Sequence, residues 1–381
     1  MGFPRFYNLY RKPITNVVIQ RCKKWLIKHQ PGPVEGHALH RLLVLSAMIS
    51  ALIRGGRASL QSLGKHMDAD TDLESRVKQA KRWLSSKWTD SQAHFIPYLA
   101  PIIRALSQSG ELILAIDGSG IGEKCSALMV SVLWRRRAIP LCWVVRDAPK
   151  GHFSEQAHLD LLEQVAILLD TLIEIPCRIV LLGDGEFDSA ALQQRCVDQG
   201  WDYVLKTAKD TLLADNPEME NASHFGHLAP ARGEKSLFLA DVYVFKQGFG
   251  TVNALYWHDR KYADPLFLLT NLEYAPKVAV YYRKRYHIET FFGDIKSRGF
   301  NIHKTRIDDT FRLFNLLIVA SLAFILAILF EFDARKSPHL GKFCRKDRVS
   351  SYSVFQIGLM AIRYYADKAI PIPFQFSKNF P

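Results

Sequence analysis

The chain has 381 residues, 48% of them hydrophobic and 23% charged, with 50 Lys+Arg against 37 Asp+Glu for a formal charge of +13. That length and composition exclude extended disorder and leave room for two or three domains. The basic surplus points to a polyanionic partner, nucleic acid before an anionic membrane surface. It is unevenly spread: Met1 to Gly110 holds 17 basic and 6 acidic residues, Arg335 to Pro381 holds 9 and 2, and the stretch between them holds 24 and 29. An acidic centre between basic ends suits hard divalent cations, or is ordinary solvated surface. The six cysteines, Cys22, Cys125, Cys142, Cys177, Cys196 and Cys344, form no Cys-x-x-Cys pair, which argues against a zinc finger or a disulfide framework. Residues Met1 to Tyr10 lack the apolar stretch of a signal peptide, which favours a reducing cytosol.

The first hundred residues read as helices. His37 to Ile53 carries apolar residues at helical spacing and stops at Gly55-Gly56, while Ser59 and Asp72 are N-cap candidates for further helices. In the helix after Asp72, the cations Arg76, Lys78, Lys81 and Arg82 precede Trp83 and Trp88. This mixture suits a DNA backbone or groove, or else a solvated face over buried indoles. His37 and His40, with no clustered cysteines or acids, read as structural or surface histidines.

After Gly110 the period becomes that of strands. Leu112 to Ile116 is a short apolar run ending at Asp117, and Ala127 to Trp134 and Ala138 to Val145 flank Arg135-Arg-Arg137 as the arms of a hairpin. Leu159 to Leu172 has helical spacing, and Arg178 to Leu182 is a buried strand ending at Gly183-Asp184-Gly185. Ser189 to Asp198 is a helix with Asp188 as a cap candidate, and Asp202 to Leu205 is a fifth strand. The order β-β-β-α-β-α-β is that of an RNase H-like α/β core, a mixed sheet flanked by helices.

Residues 207–276 loosen into turns and short alternating strands, a β-rich insertion. Leu316 to Phe330 is apolar except for Ser321, yet short for a membrane span of about 20 residues, so it reads as a helix enclosed by a large core. The expected division is an all-helical basic DNA-binding domain over 1–108, a catalytic domain over 109–333 and a basic C-terminal tail over 334–381.

The segment Tyr282 to Lys296 concentrates the chemistry. On one continuous helix advancing about 100° per residue, Tyr282, Arg285 and Lys296 fall within about 40° of Glu289. A carboxylate among two cations and a phenol is suited to a metal-bound phosphodiester, or to an exposed helix with an i, i+4 ion pair. Asp294 falls on the other side, near about +140°. Gly118-Ser-Gly-Ile-Gly122 is neither a dinucleotide loop, since Glu123 stands at the third glycine position, nor a G-x-S-x-G elbow around Ser119.

The spacing Tyr282-x2-Arg285-x3-Glu289-x6-Lys296 resembles that of the IS-four group of bacterial DDE transposases, relatives of the Tn-five and Tn-ten enzymes, with all four positions matched. The resemblance extends to Asp117 and to Gly183-Asp184-Gly-Glu-Phe187, similar to the family's Asp-x-x-Phe element around its second aspartate. It is thin in the first hundred residues and in the insertion, and Tyr286 stands where some relatives have tryptophan.

The resemblance implies a DDE triad of Asp117, Asp184 and Glu289 that binds two Mg2+ ions, with Mn2+ as a substitute. It implies cut-and-paste transposition of an insertion sequence, in which hydrolysis at the element ends, through a hairpin, is followed by strand transfer. Arg285 and Lys296 would then hold phosphates, Tyr282 would touch the backbone, and Trp257 would stack on a flipped base. The implied partners are double-stranded DNA, both terminal inverted repeats and target, and a second copy of the chain in the synaptic complex, with no membrane and a cytoplasmic location. A metal-dependent nuclease without strand transfer and a non-catalytic DNA-binding regulator are the alternatives.

Overall fold

The computed structural model describes residues 17–148, 153–261, 263–334 and 352–368, and the side chains of 331–334 are outside that description. Six helices open the chain: α1 (Val17–Lys28), α2 (Gly36–Gly55), α3 (Leu60–His66), α4 (Leu73–Leu84), α5 (Ser91–His94) and α6 (Ile96–Ser107). Their ends follow the local chemistry. Gly56 takes a left-handed φ of 62° and returns its N–H to the Leu52 carbonyl, which stops α2. Ser59 and Asp72 accept from the N–H groups of Ser62 and Ser75 at 3.3 and 2.8 Å, as expected of N-caps. Ala80, Trp83 and Leu84 of α4 are buried, and Trp83 Nε1 donates to the Arg41 carbonyl of α2 at 3.0 Å.

Next come β1 (Glu111–Ile121), β2 (Cys125–Trp134), β3 (Arg137–Asp147), α7 (Glu155–Leu172), β4 (Arg178–Gly183), α8 (Ala190–Asp198) and β5 (Asp202–Lys206), in the order expected of an RNase H-like core. Strands β1 and β4, and β4 and β5, pair in parallel, while β1, β2 and β3 pair antiparallel. One expectation needs correcting: β1 does not end at Asp117. It runs on to Ile121, paired with β2 as far as Ile121↔Cys125. The glycines that look like a loop in the sequence belong to the arm of a hairpin. The cap of α8 is likewise Ser189, not Asp188, whose carboxylate instead accepts from Thr207 Oγ1 at 2.6 Å.

The β-rich insertion supplies β6 (Leu212–Ala214), β7 (Ser223–His224), β8 (Leu237–Val244), β9 (Phe249–Trp257) and β10 (Leu266–Thr270). These continue the same sheet, in the order β3-β2-β1-β4-β5-β10-β9-β8-β6-β7. Because β10 lies antiparallel against β5, the backbone groups on that edge of β5 are paired instead of left open.

Four helices follow: α9 (Ala275–Tyr282), α10 (His287–Ile295), α11 (Thr310–Ala334) and α12 (Val354–Asp367). The single helix expected through Tyr282 and Lys296 is therefore broken between α9 and α10. The two halves bury into different places: Val278, Tyr281 and Tyr282 join a cluster with Val180, Val204 and Leu268, whereas Ile288, Phe291 and Phe292 join the main core. Turns with N–H bonds from Lys284 to Tyr281, Arg285 to Tyr282 and His287 to Lys284 tighten the chain between them.

Residues Leu316 to Phe330 of α11 are at most 1% exposed, Ser321 included. The helix is enclosed by α2, α4, α5, β3 and α12. By length and composition Gly36–Gly55 and Thr310–Phe330 could each cross a membrane, but 94% of the apolar window of the second is buried inside the protein, as a core helix requires. Where α12 crosses α11, a Cβ on Gly358 would stand 1.9 Å from the Ala327 carbonyl oxygen, so only glycine permits the approach. Of the expected basic tail, α12 and the residues beside it are described; the rest of 334–381, like the first sixteen residues of the expected N-terminal domain, lies outside the described residues.

Candidate active site

The site is built where β1 and β4 part. Their last parallel pair is Ala115↔Leu182, and the same register carried two residues further sets Asp117 beside Asp184. Gly183 admits the turn that follows, since a Cβ there would meet Phe187 Cβ at 2.8 Å. Phe187, fully buried, anchors that turn, and its N–H donates to the Asp184 carbonyl at 3.0 Å. The Asp184 carboxylate accepts from the Glu186 N–H at 3.1 Å, and the Asp117 carboxylate from the Gly118 N–H at 2.8 Å. Both acids are thus oriented by their own backbone.

Glu289 lies in the first turn of α10, which packs across β1 and β3. Arg285 donates to its carboxylate, and the guanidinium also stands 5.8 Å from the Tyr282 ring centre. Lys296 does not lie on the helix as expected. It is the residue that ends α10, where the chain turns, and its Nζ donates to Ser119 Oγ on β1 at 2.6 Å. The break between α9 and α10 nevertheless leaves Tyr282, Arg285, Glu289 and Lys296 near enough for each to exchange electrostatic influence with Asp117 or Asp184. Burial first, then the charges of Asp184 and Glu289, push the Asp117 carboxyl up to about 7, with Arg285 opposing. Burial lowers the Lys296 ammonium and Asp117 draws it back up. Burial likewise pushes the Tyr282 phenol up to about 12, with Arg285 opposing. The Arg285 guanidinium is raised: burial works against its charge, and Tyr282, Glu289 and Asp117 outweigh it.

Two cations, Arg285 and Lys296, thus stand among three acids. Among the described residues no three His, Cys, Asp or Glu side chains form a cluster that could hold an ion as it stands; Glu289 is half-exposed and engaged by Arg285. The chemistry of the donors still suits a hard divalent ion, because all three offer carboxylate oxygens, and burial together with the charges of Asp184 and Glu289 holds the Asp117 carboxyl above its ordinary range. An added positive charge relieves the repulsion among those charges.

The family model described as the transposase DDE domain matches residues 108–326, more than half of the chain. The chain belongs to that family. No curated protein matches it. The matched span of this DDE transposase begins just before β1 and ends within α11, so Asp117, Asp184, the insertion and Glu289 all fall inside it. DDE transposases are enzymes of DNA transposition, act on DNA and generally use divalent metal ions.

The remaining sequence candidates lie elsewhere on the transposase. Trp257 ends β9, and Arg283, from the turn before α10, stacks over its ring at 4.5 Å while pairing with Asp259 at 3.3 Å. On α4, Arg76 donates to the Met67 carbonyl at 2.8 Å and Lys78 pairs with Glu74 at 2.6 Å, whereas Lys81 and Arg82 are exposed. Sequence reasoning considered Ser119 only as a nucleophile and set it aside; the structure makes it the acceptor that holds Lys296. The alternation of a strand, which puts residues 117 and 119 on one face, was the signal available for it.

Proposed function

We propose that this transposase belongs with the IS-four group, among the relatives of the Tn-five and Tn-ten enzymes, and moves an insertion sequence by cutting it out and joining it to new DNA. What supports the reading is the pair of carboxylates where the neighbouring parallel strands β1 and β4 part, together with Glu289 held by Arg285 and with Tyr282 and Lys296. Asp117, Asp184 and Glu289 would hold two Mg2+ ions, or Mn2+ in their place, which when bound polarise the attacked phosphate and lower the pKa of an attacking water or hydroxyl.

The chain's own residues do the rest. When Glu289 turns from Arg285 toward the aspartates, the guanidinium is freed to take a phosphate oxygen in its place. Lys296, held by Ser119, keeps an ammonium on the same side, and the Tyr282 hydroxyl borders the backbone of the bound strand. In the first step an oxygen of water bonds to phosphorus and the 3′ oxygen leaves with a proton. In joining, the 3′ oxygen attacks and a target 3′ oxygen leaves, so phosphodiester bonds are conserved. Trp257, once Arg283 moves off its face, is the proposed platform for a flipped base.

In the same reading, residues 1–108 engage the terminal inverted repeats, with Arg76, Lys78, Lys81 and Arg82 near the phosphates, 109–333 form the catalytic domain, and 334–381 add a basic tail. The synaptic complex is a homodimer on DNA in the bacterial cytoplasm. The test is metal-dependent cleavage and joining of linear DNA bearing the element's ends. Asp117→Ala, Asp184→Ala and Glu289→Ala are each expected to lose more than about a hundredfold in both steps. Undiminished activity in any one of them would remove it from the triad, and cleavage without joined product would make the protein a nuclease instead.

A further inference from the structure

A second concavity, lined by none of the residues of the candidate active site, lies between α2 and α4. It measures about 350 Å³, within the roughly 300–1,000 Å³ of sites that take small ligands. From α2 it receives His37, His40 and Arg41, and from α4 Gln79, Arg82 and Trp83. Two imidazoles and two guanidiniums therefore face it, and no carboxylate does.

Three of the nearby acids have partners of their own. Asp72 caps α4 through Ser75, Glu74 pairs with Lys78 at 2.6 Å, and Asp68 pairs with Arg54 at 3.1 Å. Arg41 Nε is buried with no hydrogen-bond partner among the described residues. The Arg41 carbonyl receives Trp83 Nε1, which ties its backbone to α4. His40 feels the positive surroundings: burial, then His37 and Arg41, lower its pKa. A concave set of donors and cations, one of them unsatisfied, lacks an oxyanion.

The rim says which kind. Ser86 lines the cleft, and its Oγ accepts from the Trp88 N–H at 3.2 Å. The Trp88 indole is 63% exposed, with the Lys87 ammonium 5.5 Å from its centre. An exposed indole beside a phosphate-sized group of donors gives a base something to lie on, which free phosphate cannot use. We propose that the α2–α4 cleft holds a phosphodiester of the DNA backbone, with His37, His40, Arg41 and Arg82 as its donors. This rests on the reading of the helical region as one that engages DNA, and it gives two histidines that the spacing alone left as structural or surface residues a place on the phosphate.

The test uses the full chain in EDTA, so that cleavage does not intervene, and a fluorescent duplex of about 30 base pairs, with affinity measured against salt. Arg41→Gln is expected to weaken binding several-fold and to flatten the slope of log K against log salt by about 0.9, the loss of one phosphate contact. A slope equal to wild type overturns the proposal. Should Arg41→Gln fail to fold by circular dichroism, the double variant His37→Gln, His40→Gln takes its place, and undiminished affinity then overturns it.

The imidazole proton resonances of His37 and His40 separate the possible sources. A shift with duplex and none with inorganic phosphate at matched ionic strength supports the backbone assignment. A shift with inorganic phosphate alone overturns it. Failure here is distinct from failure of the active-site reading, in which Asp117→Ala would keep cleaving DNA whatever the salt slopes.

Discussion

On the proposed reading, the hydrogen bond from Lys296 to Ser119 sets the geometry of a phosphate contact. The ammonium is half-buried, and its bond to Ser119 Oγ fixes the direction in which its remaining protons point. Ser119→Ala should lower the cleavage rate by about tenfold, as expected for loss of one bond to a charged group, while metal dependence stays as in wild type. A rate equal to wild type in single-turnover assays would show that Lys296 positions itself.

Asp294 offers a separate test. It is fully buried, its carboxylate 3.1 Å from Arg298 Nε and 3.4 Å from Ser353 Oγ, and burial pushes it up to about 6 against the pull of Arg298 and Arg137. Its folded-state pKa lies above the 3.8 of an unperturbed aspartate, so between those values the native chain binds the extra proton. This contribution to stability is complete below about pH 4 and is lost as pH rises through about 6. Asp294→Asn should flatten the urea-unfolding profile across that window. The sequence placed Asp294 off the functional side of its helix, and the structure agrees; what it hid was the Ser353 partner, 59 residues away.

At the scale of elements, the sequence was legible wherever local chemistry decides: the caps Ser59 and Asp72, the Gly56 stop, and the apolar runs of β1, β4 and β5. It was not legible where packing decides. Nothing in Arg283 to Tyr286 breaks a helix, since the stretch contains neither glycine nor proline; the break follows from Tyr282 and Ile288 having different cores to fill. The extension of β1 past Asp117 was hidden because its glycines read as a loop until β2 supplies partners. The approach of α12 to α11 at Gly358 belongs to this scale too. Gly358→Val should cost about 1–3 kcal/mol, the range for forcing bulk into a packed contact, measured as a lower urea midpoint. An unchanged midpoint would mean that α12 is free to retreat.

For the whole molecule, a metal bound only by the folded carboxylates stabilises the fold by mass action, about 2.7 kcal/mol at a hundred times Kd. Mg2+ should therefore raise the melting temperature of wild type and leave that of the Asp117→Ala, Asp184→Ala double variant where it was. An equal rise in both would place the ion elsewhere. The proposed metal links β1, β4 and α10, which long stretches of sequence separate, so in the sequence it was legible only through the family resemblance.

The enclosure of α11 has a bearing on how such a protein can change its DNA preference. Asn315 Nδ2 and Arg312 Nε on that helix donate, each at 2.8 Å, to the Leu84 carbonyl and Ser85 Oγ at the end of α4. Arg363 Nε of α12 donates to the Ile53 carbonyl of α2 at 2.7 Å. One apolar cluster runs from Val18 to Tyr365. The leading helices are thus not a detachable unit: exchanging them with those of another transposase would also exchange much of the seat on which α11 rests. On the proposed reading of these helices as the region that engages DNA, new specificity would have to arise by substitutions on the outward faces, such as the rim around Trp88, and not by wholesale transplantation.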